Sequence, residues 1–191
     1  MIPDKSIDAI ICDLPYGTTR NEWDSVIPFD ALWKSYERVI KDNGAIALFA
    51  QQPFASQLVC SNPKMFKYEW IWVKDNATGF LNSGFTPLKK HENILIFSKA
   101  SAAFVRNRAK AMTYIPQMSK GKAYTAFRGG PSSNYDVKHM RRTRGEYGAE
   151  RFPTDVLKFN KVHKPVHPTQ KPLELVRYLV RTYTNVGGNT R

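Results

Sequence analysis

The chain has 191 residues, with 29 Lys and Arg against 16 Asp and Glu, and a formal net charge of +13. Its 42% hydrophobic and 13% aromatic content supports a packed core and excludes a disordered polycation. The longest apolar runs, such as Ile94-Leu95-Ile96-Phe97, fall far short of the roughly 20 residues a membrane span needs.

The polar opening Met1-Ile2-Pro3-Asp4-Lys5-Ser6 argues against a signal peptide. Ile7 to Cys12 then predicts a buried parallel strand that opens at Asp13 into the turn Pro15-Tyr16-Gly17. Phe29, Leu32, Trp33, Tyr36, Val39 and Ile40 recur at helical spacing, with Asn43-Gly44 placed to close that helix. Ala45 to Ala50 reads as a second strand. Pro53 starts a second helix, with Phe54, Leu58 and Val59 inward. Tyr68 to Val73 and Asn93 to Phe97 read as two more strands. This alternation predicts an α/β domain with a mostly parallel sheet. Pro172 starts a last helix, with Leu175, Val176, Leu179, Val180 and Tyr183 on one face, ended by Gly187-Gly188. Trp23, Trp33, Trp70 and Trp72 read as core residues.

The charge is concentrated. Between Ala100 and Pro165 lie fourteen basic and four acidic residues, a net of +10, interleaved with Phe104, Tyr114, Tyr124, Phe127, Tyr135 and Tyr147. Basic side chains neutralise phosphates, and aromatic rings stack on bases, so this stretch predicts a nucleic-acid surface. Arg128, Lys138, Arg141, Arg142 and Arg144 are its candidate DNA contacts. Cys12 and Cys60 sit among apolar neighbours; as buried free thiols they fit a reducing cytosol. His163 and His167 are four apart but lack a third ligand, so no metal site is expected. His91 reads as a strand-edge residue.

Two segments carry chemistry. Asp13-Leu14-Pro15-Tyr16-Gly17 stands at the carboxyl end of a strand, where open α/β sheets bind ligands. A carboxylate, a carbonyl and an aromatic ring there suit a flat, amine-bearing ring, or else form a strand-end turn whose Asp caps a helix. His167-Pro168-Thr169-Gln170-Lys171-Pro172 precedes the last helix and aims polar groups at its N-terminus, or else is a proline-rich helix entry.

Together with Lys90-His91-Glu92-Asn93-Ile94-Leu95-Ile96-Phe97, Gln51-Gln52-Pro53-Phe54 and Tyr68-Glu69-Trp70-Ile71-Trp72, these segments resemble the DNA amino-methyltransferases that use S-adenosylmethionine. The likeness is to the bacterial and phage N6-adenine enzymes of restriction–modification type with permuted motif order. Their catalytic motif is Asp-Pro-Pro-Tyr, and this chain has the variant Asp-Leu-Pro-Tyr. The resemblance implies a Rossmann-like methyltransferase sheet with an irregular basic recognition insertion. It divides the chain into a catalytic part (1–98), a target-recognition region on double-stranded DNA (99–165) and a cofactor-side motif and helix (166–191).

It also implies base flipping. Asp13 and the Leu14 carbonyl would accept hydrogen bonds from the target amine, Pro15 would fix the turn, and Tyr16 would stack on the base. His167, Pro168, Thr169 and Lys171 would lie on the cofactor side. The family's glycine-rich loop, expected after the helix at 172–184, and its leading Gly-Asp-Cys strand element are not found. The sheet is therefore expected to be incomplete at both ends and the S-adenosylmethionine site incomplete, the chain being either a truncated product without independent activity or a half that needs a partner, a second copy or a complementing chain. Cytosine N4 methylation, a non-catalytic DNA-binding remnant, and an RNA or small-molecule methyltransferase are the alternatives.

Overall fold

The computed structural model describes residues 2–18, 21–22, 24–103, 107, 110–128, 143–167 and 169–185. The chain divides into two compact units: Met1–Ile115 with Thr154–Arg191, and Pro116–Pro153.

The first unit is built on a five-stranded sheet. Its elements are β1 (Ile7–Asp13), α1 (Phe29–Val39), β2 (Ile40–Ala50), α2 (Phe54–Ser61), β3 (Phe66–Thr78), a 3₁₀ turn (Phe80–Asn82), β4 (Lys89–Phe97), β9 (Val156–Lys158) and α3 (Leu173–Tyr183). The strand order is β1-β2-β4-β3-β9. β1 pairs with β2 and β3 with β9 in parallel, while β4 runs antiparallel to both β2 and β3. The sheet is therefore mixed, where the element alternation predicts a mostly parallel one. The reason is local: β3 and β4 are joined by a short turn without a crossover helix, and such a link permits only antiparallel neighbours.

Period-2 alternation in β2 feeds two cores. Ile46, Leu48 and Ala50 face α1 and α2, where they pack with Trp33, Phe54, Leu58 and Phe97. Ala45, Ala47 and Phe49 face α3, where they pack with Trp70, Trp72, Leu175, Leu179 and Tyr183. The result is three layers, helix on sheet on helix. Tyr183 anchors α3: its hydroxyl accepts from Trp70 Nε1 at 2.6 Å and lies 3.0 Å from the Tyr68 hydroxyl. Trp33, Trp70 and Trp72 are core residues, as their pattern predicts, and Trp23 lies outside the described residues. β1 forms one edge, with Ile7, Ile10 and Ile11 half-buried.

Some expectations differ from the structure. Asn43-Gly44 does not close α1. The chain turns extended at Ile40, and Gly44 sits inside β2, at the register shift between the pairs Ile7–Ile40 and Ala9–Ala45. A Cβ at Gly44 would meet the Asp8 carbonyl oxygen and the Ile40 side chain at 2.8 Å, so glycine serves close strand approach. Val180 is 41% exposed, and Thr182 is buried on the inner face. Cys12 is half-buried and Cys60 exposed, so the two thiols are not both core groups. Gly187-Gly188 lies outside the described residues.

The second unit holds two small antiparallel pairs. β5 (Ser119–Lys120) pairs with β8 (Glu150–Arg151), and β6 (Tyr124–Arg128) with β7 (Thr143–Tyr147). Tyr124 and Tyr147 stack at 5.0 Å, and the Arg151 guanidinium lies 4.4 Å over the Tyr124 ring. Among the described residues no helix is long and apolar enough to cross a membrane.

Candidate active site

Asp13 is the last residue of β1, so its side chain stands at the carboxyl edge of the sheet. Leu14 turns into the core beneath it. Tyr16 packs on Phe54 with ring centroids 5.2 Å apart, and its hydroxyl donates to Asp13 Oδ1 at 2.8 Å. Gly17 takes φ +67°, the left-handed conformation that releases the chain from the strand axis. The buried Asp24 carboxylate then fixes the whole turn. It accepts from the backbone N–H groups of Tyr16, Gly17 and Thr18 at 2.8, 3.0 and 2.9 Å.

The second segment arrives 158 residues later. His167 Nδ1 lies 3.0 Å from Thr169 Oγ1 and accepts from the Thr169 N–H at 3.3 Å. Gln170 Oε1 accepts from the Val166 N–H at 2.9 Å. These bonds close a turn before Pro172 that aims Lys171 across the sheet. Lys171 Nζ donates to Asp13 Oδ2 at 2.7 Å, lies 3.4 Å from Glu92 Oε2, and sits 5.0 Å over the Phe49 ring. Glu92, on β4, pairs in turn with buried Lys74 on β3. The four charges form one chain: Asp13, Lys171, Glu92, Lys74.

They wall a cleft of about 570 Å³ that Tyr16, Gln51, Trp72, Lys161 and His167 also line. The outer wall is fastened by Asp75, which accepts from the Lys161 N–H at 2.8 Å and faces His163 Nε2 at 3.3 Å. Trp72 Nε1 donates to the Phe159 carbonyl at 2.8 Å. Burial, then the neighbouring Asp13 and Glu92 charges, push the Tyr16 hydroxyl far above the ordinary tyrosine range. Tyr16 is thus a neutral donor at any working pH. Burial by itself would raise the Glu92 carboxyl, but Lys171 and Lys74 outweigh it and hold the group below its ordinary range.

Asp13, Leu14, Pro15, Tyr16, His167, Thr169 and Lys171 therefore come together at one cleft, and Pro168 lies outside the described residues. Of the predicted DNA contacts, Arg144 is exposed on β7 and Arg128 ends β6, while Lys138, Arg141 and Arg142 lie outside the described residues. His91 is exposed on β4. Sequence reasoning missed Asp24, Lys74 and Glu92 as site residues. For Lys74 a signal exists: Trp70, Trp72 and Lys74 alternate onto one face of β3.

A sequence profile described as DNA methylase, of the N6 and N4 methyltransferase type, matches residues 7–190. The chain belongs to the DNA methylase family. Among relatives of this chain is the Type II methyltransferase M.HpaI of Haemophilus parainfluenzae, 27% identical over 205 residues, covering 97% of this chain and 56% of its own length. The Type II methyltransferase M1.MboII of Moraxella bovis is 28% identical over 205 residues, covering 96% of this chain and 74% of its own. The chain thus spans little more than half of the first relative. The crystal structure of the M1.HpyAVI–SAM complex has the same fold, with a TM-score of 0.51 at 20% identity, over 94% of this chain and 68% of that one.

Proposed function

We propose that this methylase transfers the sulfonium methyl of S-adenosylmethionine to N6 of an adenine flipped out of duplex DNA. The observation that carries the reading is the meeting of Asp13 and Lys171, 158 residues apart, at 2.7 Å across one cleft. The family resemblance of the two segments gives one of them to the amine and the other to the methyl donor.

The cleft chemistry fits the donor: Asp13 and Glu92 match its sulfonium and amino cations, and Lys161 and Lys171 match its carboxylate. His167, Thr169 and Lys171 would hold it. When bound, it supplies an electrophilic methyl carbon whose bond to sulfur breaks as the bond to nitrogen forms. The chain's own residues do the rest. The N6 lone pair is delocalised into the ring, so the amine is a poor nucleophile. Hydrogen bonds from its two N–H groups to the Asp13 carboxylate and the Leu14 carbonyl favour the pyramidal amine and free the lone pair for in-line attack. Asp13 retains acceptor capacity for this, because each carboxylate oxygen has two lone pairs and each now serves one donor. The proton released from N6 leaves through the Asp13 carboxylate. Tyr16, packed on Phe54 and lining the cleft, offers its ring to the base. The rate then comes from positioning and electrostatics, without a covalent enzyme intermediate.

By the same resemblance, Asp rather than Ser at position 13 supports adenine over cytosine. The test is nucleoside analysis of mixed-sequence duplex DNA after incubation with methyl-labelled S-adenosylmethionine and the enzyme carrying this sequence. Label in N6-methyldeoxyadenosine is the expected result. Label in N4-methyldeoxycytidine would move the reading to cytosine, and DNA binding without label would favour a non-catalytic remnant.

A further inference from the structure

The turn between β3 and β4 is ordered yet turns its apolar side chains outward. Gly79 enters it at φ +93°. The 3₁₀ turn Phe80–Asn82 follows, and the Asn82 carbonyl accepts from the Phe85 and Thr86 N–H groups, each at 2.9 Å. Local hydrogen bonds thus hold the backbone, while Leu81 is 99% exposed, Phe85 92% and Phe80 66%. A soluble surface rarely presents large apolar groups together in a fixed geometry without a partner.

We infer that this turn is an apolar wedge that inserts between base steps of duplex DNA beside the flipped nucleotide. The inference rests on the methylase reading above. Two observations select DNA as the occupant. The first is place: β3 and β4 carry Lys74 and Glu92 into the cleft, and the same two strands run on into the turn. Gly79 is five residues past Lys74, about 17 Å of extended chain, so the wedge stands on the sheet edge that holds Asp13. The second is charge: from Asn76 to His91 there is no carboxylate, and exposed Lys89 and Lys90 form the stem of the turn. An apolar tip on a cationic stem suits a stack of bases flanked by phosphates. Flipping a base leaves a gap in the stack, and Leu81 or Phe85 would fill it.

The test compares binding of the enzyme to a mixed-sequence duplex and to the same duplex with one abasic site, where the gap is already open. Wild type is expected to favour the abasic duplex roughly tenfold, and the double variant Leu81→Ser/Phe85→Ser to lose that preference. Both side chains are exposed, so an unchanged thermal melt should accompany the loss. In parallel, Phe85→Trp should show quenched emission on adding duplex. A wild-type ratio near one, or a ratio unaltered in the double variant, overturns the wedge and leaves the methylase reading standing. Loss of self-association in the double variant, with the DNA ratio unaltered, overturns it in favour of a contact between copies of the chain. Failure of wild type to bind either duplex overturns the methylase reading and the wedge with it.

Discussion

Asp24 shows how much one side chain can fix. It is buried and its carboxylate takes three successive backbone N–H groups, so the turn that positions Asp13 and Tyr16 has one conformation. Asp24→Ala would leave those donors without their acceptor. We expect a loss of about 2 kcal/mol in urea unfolding, larger than a single exposed hydrogen bond would give. A change of a few tenths would mean that water replaces the carboxylate at no cost. Nothing in the local sequence marks Asp24, because its partners are main-chain groups and carry no residue signature. Asp13, by contrast, is legible where it stands, at the end of an apolar strand and before a Pro-containing turn.

At the scale of elements, β1, α1, α2 and α3 follow their hydrophobic periods, and the sequence reading places each to within a few residues. The strands it shortens are β2, which begins at Ile40, and β3 and β4, which continue to Thr78 and back to Lys89. Their extensions are polar in sequence, and Lys74 and Glu92 are buried there because each is the other's partner. Pattern reasoning treats such residues as loop, since the compensation comes from a strand elsewhere in the chain. The pair has a consequence for stability. Glu92→Gln would leave the Lys74 and Lys171 ammonium groups without their shared anion, at a cost of about 3–5 kcal/mol. Because the Glu92 carboxyl is held below its ordinary value of 4.5, its contribution is complete above that pH and fades as pH falls through the lowered value. Lys171→Met removes the largest charge acting on Glu92 from outside. The acid limb of a stability-versus-pH curve should therefore be shallower in Lys171→Met and level off at higher pH than in wild type, its onset being set by the unfolded carboxyl in both. Superimposable acid limbs would contradict the coupling of Glu92 to Lys171.

For the whole molecule, the net charge of +13 and its concentration between residues 100 and 165 fit the proposed duplex substrate. Neutralising Arg141, Arg142 and Arg144 together should weaken duplex binding and lower the slope of log K against log salt by up to about three, one for each phosphate no longer neutralised. An unchanged slope would mean that the cluster does not touch phosphate. In the proposed function that charge prepares the encounter, and the chemistry belongs to the cleft at the carboxyl edge of the sheet. The most direct measurement there is single-turnover methyl transfer beside equilibrium DNA binding for Asp13→Ala. The account predicts transfer reduced by about a thousandfold or more, with duplex affinity and thermal melt within about twofold and a few degrees of wild type. Retained transfer, or the disappearance of transfer and DNA binding together, would contradict it, because Asp13 would then be a structural residue of the strand end.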